Sequence, residues 1–410
     1  MSITLSELTA GSTHLAGNDI WVKAKTSGIP EGASDYKILL KIVSADDVLT
    51  GSPFVDAIAP DASGEAWFNF SGYVNQGIRR ELTWPIPTLY EGKITGWVNQ
   101  AYDVWLYGGE RYIDSSGDLV ENFGETPLQP FFIVPGKLPV RLLAELNDLE
   151  KTWWKNYCYE GNFFTLMPTT QTITPYQPVK LWWMAPELLE EVNVFINYYH
   201  DNKEINEDGD HGTTTFIFNA TIYYDILYEI DLHIEGTGIP LISNLGNKLK
   251  KIEVWIEDDA VEVTERRTFL VKWDPPVNKY YYLFVDNQIG GIDCIGLTGR
   301  CVLKASGERS VVAVPFELGG GVKNATRLIK PVARKRQWEI NSGWKTKAEL
   351  EAMEFLLDAP QAWLAIPPAD GSTAIKDYKL TPVIITNTEL VLGNDMEDVE
   401  SIDIELTEAL

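Results

Sequence analysis

The stretch that decides the fold reads VNVFINYYH and runs from Val192 to His200. Its valines and isoleucine alternate with Asn193 and Asn197. Successive side chains of a β-strand point to opposite faces, so this alternation gives one apolar and one polar face. It predicts a half-buried strand in an antiparallel sheet.

The same period of two recurs along most of the chain. It is found in Tyr36 to Ile42, Ala66 to Phe70 and Ile252 to Ile256. Ile94 to Gly109 and Phe131 to Val134 also read as strands, and Thr214 to Ile234 is rich in β-branched and aromatic residues, which favour strands. We therefore predict a mainly β protein, with two β-sandwich-like modules followed by a smaller α+β C-terminal module.

Breaks in the pattern predict the module boundaries. The first sandwich module covers residues 1–136 and ends at Pro135-Gly136. Leucines at positions 142, 146 and 149 share one face of a short helix, which predicts a helical linker over 137–150. The second sandwich module covers 151–276 and ends at two consecutive prolines, because proline cannot continue a strand ladder. The C-terminal module covers 277–410.

One helix has strong local signals. Thr346 stands three residues before Glu349, which is the spacing of a capping box, and Leu350, Met353 and Leu357 follow as an apolar stripe. This predicts a helix from Lys347 to Asp358. Strands are predicted around it at Val311 to Phe316, Tyr378 to Ile385 and Glu400 to Leu406.

Length and charge narrow the functional classes. The chain has 410 residues, which favours several modules over one core, and its formal charge of −25 would repel a phosphate backbone. No apolar run approaches the ~20 residues that cross a bilayer. We thus expect neither nucleic-acid binding nor membrane insertion.

Met1 to Ile20 lacks the features of a secretory signal. The three cysteines are expected to be reduced, with a Cys294–Cys301 bridge as the alternative.

The sequence carries no signature of catalysis, of a cofactor or of a metal. Its four histidines stand at no metal-ligand spacing, and no Gly-x-Ser-x-Gly elbow occurs. The loop Asp201 to Asp210 resembles the start of a calcium loop, but Thr215 stands where the bidentate carboxylate would be needed. Gly319 to Gly321 lacks the spacing of a phosphate-binding loop. We therefore predict no catalytic, cofactor-binding or metal-binding residues.

A carbohydrate-binding or glycoside-active β protein is the alternative from another class. The chain combines 59 acidic residues with 14 tryptophans, and a glycosidase requires only two carboxyl groups at a suitable distance. Trp153-Trp154 and Trp182-Trp183 are candidates for stacking on sugar rings. Neighbouring strand residues point to opposite faces, so at most one of each pair is expected to be displayed, and packing in a core or interface is favoured.

Charge is strongly segregated near the C-terminus. Leu318 to Trp338 contains no acid and carries six basic residues, which are Lys323, Arg327, Lys330, Arg334, Lys335 and Arg336. After Lys379 there is no basic residue, and eight acids follow, namely Glu389, Asp395, Glu397, Asp398, Glu400, Asp403, Glu405 and Glu408. The two segments would suit head-to-tail contact between subunits, and we predict the six basic residues to be interface residues. Alternatively, both segments lie on neighbouring strands and neutralise each other within one subunit.

Three stretches of the C-terminal module are distinctive, namely YYYLFVDNQIGG at Tyr280 to Gly291 with IDCIGLTG after it, WEINSGWKTKAELEAMEFLLDAPQAWLAI, and the ending PVIITNTELVLGNDMEDVESIDIELTEAL. They resemble tail-region proteins of phages and prophages of Bacteroidetes bacteria. YKILLKIVSADDVLTGSP and PDASGEAWFNFSGYV are similar to the first β module of such proteins, and FFTLMPTTQTITPYQPVKLWWMAPE is similar to the second.

The resemblance implies a virion structural protein of the tail tip or baseplate, made in the cytoplasm of the bacterial host. The expected partners are further copies of the chain and other virion proteins, with a host cell-surface glycan or protein as an additional candidate. A head-to-tail connector or capsid-associated protein is the alternative position in the virion. The absence of catalytic signatures together with the charge segregation favours the same class, since both suit a protein that works by assembly.

Overall fold

A computed structural model gives the structure of the chain, and it describes residues 3–6, 8, 12–44, 53–77, 94–97, 102–125, 127–138, 157, 160–189, 192–200, 211–218, 222, 226–232, 239–243, 246–273, 279–318, 322–392 and 399–409. The chain divides into two compact units. The first comprises Met1–Thr170, Pro178–Val271 and Asp286–Asp293, and the second comprises Gln171–Gln177, Lys272–Val285 and Cys294–Leu410. The predicted module boundaries stay predictions, and residues 139–150 of the predicted linker lie outside the described residues.

The N-terminal part of the first unit is a β-sandwich. Its strands are β1 (Ile3–Ser6), β2 (Thr13–Leu15), β3 (Trp21–Thr26), β4 (Ser34–Ser44), β5 (Phe54–Ile58), β6 (Glu65–Asn69), β8 (Tyr102–Ile113), β9 (Leu119–Phe123) and β10 (Leu128–Val134), with helix α1 (Ser71–Gly77) after β6. Strand β7 (Ile94–Trp97) lies between β6 and β8 in the chain but belongs to another sheet. Sheet 1 has the order β1-β3-β6, and sheet 2 has the order β2-β10-β8-β4-β5 with β9 on β8. The predicted apolar faces of β4 and β6 form one buried core, where Ile38, Leu40 and Phe68 are buried together.

The predicted strand material from Ile94 to Gly109 is divided between two strands. Two strands, β7 and β8, occupy this range, and they belong to different sheets. Strand β8 pairs with β4 in sheet 2, whereas β7 pairs with a strand at Leu227–Leu232. Alternation of apolar and polar residues predicts that a segment is extended, but it does not predict which strand the segment pairs with.

The rest of the first unit contains the second sandwich. Strand β11 (Thr170–Ile173) starts at the last residue of the unit's first segment and otherwise belongs to the second unit. The strands of the second sandwich are β12 (Val179–Met184), β13 (Val192–His200), β14 (His211–Phe218), β15 (Leu227–Leu232), β16 (Leu249–Asp258), β17 (Val261–Glu262) and β18 (Arg267–Val271). Sheet 3 has the order β12-β15-β7, and sheet 4 includes the run β18-β16-β13-β14 with β17 on β16. Val179 and Leu232 of sheet 3 surround a small apolar void together with Ile196, Val254 and Phe269 of sheet 4. The two sheets therefore pack face to face.

The second unit is built on a seven-stranded sheet. Its strands are β19 (Tyr281–Asp286), β20 (Ile292–Leu297), β21 (Cys301–Leu318), β22 (Val322–Asn341), β23 (Lys345–Thr346), β24 (Ala362–Ile366), β25 (Lys379–Ile385), β26 (Val399–Glu400) and β27 (Asp403–Glu408). Sheet 5 has the order β20-β19-β24-β25-β27-β22-β21, and β23 pairs with β26 separately. The expected mainly β chain, with two sandwich-like modules and a smaller α+β module, is confirmed.

The predicted helix begins where the capping box places it. Helix α2 (Lys347–Ala352) has Thr346 as its N-cap, and the side chains of Thr346 and Glu349 each accept a hydrogen bond from the other residue's backbone N–H. The α-helix ends at Ala352, and a 3₁₀ helix continues over Met353–Asp358. Because 3₁₀ turns repeat every three residues, the buried face passes from Met353 to Leu356. The prediction that Leu357 belongs to this face was wrong, since its side chain is 38% exposed.

Candidate assembly surface

The hairpin of β21 and β22 extends far beyond the other strands of sheet 5. The two strands pair along their whole length, from Cys301 opposite Ile340 to Leu318 opposite Val322. On its other side β22 pairs with β27, but only over Gln337–Asn341. We call the part beyond this pairing, residues 305–318 and 322–336, the arm. Fourteen residues at ~3.3 Å each give it a length of about 45 Å.

Both outer edges of the arm lack a neighbouring strand among the residues that the structure describes. Strand β21 is the last strand of sheet 5, and the register of β27 stops at Gln337. Half of the backbone N–H and C=O groups of an edge strand point away from its partner and can template another strand. A two-stranded ribbon is also only marginally stable by itself in water. The arm is therefore a surface suited to strand pairing with another chain.

All six predicted interface residues lie on β22 within the arm. In the register of the hairpin Lys323 stands opposite Glu317, and the other five stand opposite uncharged residues, which are Ala313, Ser310, Gly307, Ser306 and Ala305. Lys335 and Arg336 are exposed. In the backbone register one of the six thus stands opposite an acidic residue, and the arm carries seven basic and two acidic residues within a chain whose net charge is −25.

The acidic C-terminal strand is the neighbour of β22 but does not lie beside the basic residues. Glu405 of β27 stands opposite Glu339, and Asp403 stands opposite Asn341, which donates a hydrogen bond to it at 2.9 Å. Glu339 is itself paired with Lys304 at 2.6 Å. Within the described residues, neutralisation along the strand register therefore does not reach the basic arm. Asp395, Glu397 and Asp398 lie outside them.

A second exposed feature lies on the outer face of sheet 1. Trp21 and Trp67 stand on the neighbouring strands β3 and β6 and are 47% and 45% exposed. The register places Lys23 opposite Trp67, and its ammonium lies 5.6 Å from the ring centre. Glu65, beside them, pairs with Lys23 and with Lys25 at 2.9 Å. Two exposed indoles beside charged groups form a surface that can hold a ring-shaped or peptide ligand.

The tryptophans that the sequence pointed to do not form such a surface. Trp182 and Trp183 are 2% and 0% exposed, and the indole N–H of Trp182 donates to the carbonyl of Ile292 at 3.1 Å. The favoured expectation of core packing is confirmed for this pair, while Trp153 and Trp154 lie outside the described residues. Trp21 and Trp67 could not be singled out from the sequence, because single tryptophans in strands are usual.

Histidine and cysteine chemistry offers little in the described part of the chain. No group of three metal-ligating side chains occurs there. His14 is half-buried, the desolvation of its ring lowers its pKa to about 4, and its Nε2 lies 2.7 Å from the Ser12 hydroxyl. Cys294 and Cys301 are free thiols, so the alternative of a bridge between them was wrong. The calcium-like loop Asp201 to Asp210, the segment Gly319 to Gly321 and Cys158 lie outside the described residues.

Two buried polar clusters in the first unit were missed by sequence reasoning. In one, Asn287 donates to the carbonyl of Phe164 at 2.7 Å and to Asp293 at 3.0 Å, while Thr165 donates to Asp293 at 2.7 Å. In the other, Lys180 of β12 contacts the carboxylates of Glu229 and Asp231 on β15. The second cluster had a sequence signal, since Lys180 interrupts the otherwise apolar run VKLWWM.

Comparisons with known proteins identify no family. No family model matches the chain, and no curated protein matches it. Among solved structures, the chain has a similarity to invasin, a bacterial integrin-binding protein, at 12% identity and a TM-score of 0.23, over 83% of this chain and 56% of that one. Another similarity is to Salmonella alpha-2-macroglobulin reacted with methylamine, at 8% identity and a TM-score of 0.18, over 92% of this chain and 28% of that one. Likeness at this level carries no argument about function. No helix within the described residues is long and apolar enough to span a membrane.

Proposed function

We propose that this chain is a structural protein of a phage virion, in the tail tip or baseplate region, that assembles into an oligomer through its arm. The observation that carries the proposal is the ribbon of about 45 Å with two outer edges that no described strand covers. A ribbon of this length is expected to gain most of its stability from partner strands. Its positive charge and the acidic end of the chain favour contact between copies.

The proposed contact is heterologous, because the basic arm and the acidic segment are different surfaces. A heterologous contact generates a ring when the rotation closes and a filament when it does not. Charge complementarity of this kind sets register and association rate more than affinity, and it weakens as salt screens it. The subunits are therefore expected to separate more readily at high ionic strength.

A pair of variants tests the role of the arm. In the first, Arg334, Lys335 and Arg336 are replaced by Glu; its matched control replaces the exposed lysines Lys248, Lys250 and Lys347 by Glu, which makes the same change in net charge. Light scattering and negative-stain electron microscopy are expected to show discrete oligomers for the wild type and the control, and weaker assembly for the arm variant. Equal assembly of all three at low salt would contradict the charge argument.

A shortened arm separates strand pairing from charge. Ala305 and Arg336 stand opposite each other in the hairpin, so residues 306–335 can be replaced by Asn-Gly, a sequence that closes two-residue hairpins. The fold of the unit should survive, and assembly should be lost. Mass spectrometry of purified particles from the phage or prophage that encodes the chain tests virion membership directly. A wild-type chain that stays monomeric and is missing from particles would remove the proposal.

Glycan binding is the second candidate function, and the exposed pair Trp21 and Trp67 favours it. Aromatic faces beside charged groups are common in sugar-binding sites, and a host-surface glycan would fit a protein at the tail tip. A glycan array should show saturable binding that Trp21→Ala and Trp67→Ala each reduce, while Trp344→Ala, which removes a 70% exposed tryptophan elsewhere, leaves it unchanged. Binding that is insensitive to both changes would exclude this surface.

A further inference from the structure

The side chains of one lysine and two acidic residues contact each other on one face of sheet 3. Lys180 of β12 stands directly opposite Asp231 of β15, and Glu229 precedes Asp231 by two residues on the same face. The Nζ atom of Lys180 lies 2.6 Å from Oδ1 of Asp231 and also contacts Oε1 of Glu229. The side chains of Lys180, Glu229 and Asp231 are 0%, 3% and 22% exposed.

The lysine and the glutamate of this triad are shielded from bulk water. Every residue of β12 is buried, and Trp182 and Met184 lie on the same face as Lys180. Burial alone would lower the pKa of Lys180, but the two carboxylates raise it above the ordinary value. In the resting state the amine is therefore an ammonium held against two carboxylates. One ammonium and two carboxylates leave the triad with a net charge of −1. Burying a net charge in a protein interior costs free energy, so the triad is poorly suited to act only as a stabilising ion pair.

We propose that Lys180 and Asp231 become joined by an isopeptide bond, with Glu229 as the catalytic residue. The Glu229 carboxylate takes one proton from the Lys180 ammonium, and the free amine attacks Cγ of Asp231. A C–N bond forms, and Glu229 passes this proton to one oxygen of Asp231. Glu229 then takes a second proton from the attached nitrogen and gives it to the same oxygen, the C–O bond breaks, and one water leaves. An ammonium and a carboxylate thus become an amide and water, and no oxidant, reductant or activating group is needed.

The different environments of the two carboxyl groups assign their roles. Glu229 is more deeply buried and contacts the Nζ atom of Lys180, so it can take up and return a proton away from bulk water. Asp231 stands directly across from Lys180 and is partly exposed, which gives the departing water a path to solvent. Because the amide removes all charge from Lys180 and Asp231, it relieves the cost of burying them. The bond would fasten β12 to β15 in sheet 3, and this inference is independent of the proposed function.

The intact mass of the denatured full-length chain tests the bond. The wild type is expected to be lighter than its sequence by one water molecule, and a protease digest should give a branched peptide that joins Lys180 to Asp231. Lys180→Met should restore the full sequence mass. Asp231→Asn should still react but lose ammonia in place of water, and Glu229→Gln should remain mostly unreacted.

Lys25 and Glu65 provide an internal control, because they form an exposed pair at 2.9 Å on the neighbouring strands β3 and β6 and should give no branched peptide. A wild-type chain with its full sequence mass overturns the proposal, and this measurement does not depend on whether any variant folds. A branched peptide that joins Lys180 to Glu229 overturns the assignment of roles.

Discussion

Buried Asp293 is expected to make the first unit less stable as pH rises. Its side chain accepts hydrogen bonds from Thr165 at 2.7 Å and from Asn287 at 3.0 Å. Burial nevertheless raises its pKa from 3.8 to about 6, because the two hydrogen bonds and the positive charge of Arg267 offset only part of the desolvation. The folded chain therefore binds this proton more tightly than the unfolded chain does.

The sign and size of the effect follow from linkage. Between the unfolded pKa near 4 and the folded pKa of about 6, the folded state holds more protons, so the free energy of unfolding falls as pH rises. A difference of about two pKa units at ~1.4 kcal/mol each gives about 3 kcal/mol in full, of which about 2 kcal/mol develops between about pH 4 and pH 7.

Urea unfolding of Asp293→Asn at several pH values measures this contribution. The difference in unfolding free energy between variant and wild type should change by about 2 kcal/mol in favour of the variant between about pH 4 and pH 7. Asp118→Asn, at an exposed acid in the same unit, is the matched control and should give a flat difference. If the Asp293→Asn difference is equally flat, or if it runs the other way, Asp293 is ionised without penalty and the reasoning fails.

Three further changes test local features. Glu349→Ala should lower the free energy of unfolding by about 3–5 kcal/mol, because it removes the acceptor of the Thr172 and Thr346 N–H groups and the negative charge near buried Lys345. The exposed Glu351→Ala is the control and should cost little in the same thermal or urea unfolding. In urea unfolding, Gly161→Ala should be more destabilising than Gly246→Ala by about 1–3 kcal/mol. Both glycines have φ above +70°, but a Cβ at position 161 would clash with the Val263 carbonyl oxygen, whereas a Cβ at position 246 would meet nothing within 4 Å. Leu356→Ala should cost about 2–4 kcal/mol and Leu357→Ala under about 1 kcal/mol in urea unfolding of the second unit, and the opposite order would contradict the 3₁₀ geometry.

The parts of the fold that could be predicted from sequence are those defined by local pattern. The alternation from Val192 to His200 identifies a strand because one of its faces is buried, and Val192, Val194 and Ile196 are at most 1% exposed. The capping box of Thr346 and Glu349 fixes a helix start within four residues. The switch to 3₁₀ geometry after Ala352 could not be predicted, because it depends on how Met353 and Leu356 pack in the second unit.

Strand β22 shows why the candidate surface was predicted only in part. The sequence identified its six basic residues, but it gave no strand pattern, since Pro331 and the scattered charges interrupt any alternation. What makes the segment extended is its backbone pairing with β21, which continues through a register shift near Glu308. Backbone pairing by itself leaves no trace in side-chain polarity.

The Lys180 cluster could not be predicted, because it exists only in one register of two strands that are fifty residues apart in sequence. A shift of one residue would place Lys180 opposite Leu232 or Ile230, and its ammonium would lose the carboxylate that now faces it. Leaving an uncompensated charge in the interior costs about 3–5 kcal/mol, which is a large share of the stability of a domain. Burial of the apolar residues stabilises the pairing of β12 with β15 in the observed register and in a shifted one. The lysine and its two carboxylates therefore specify which register forms.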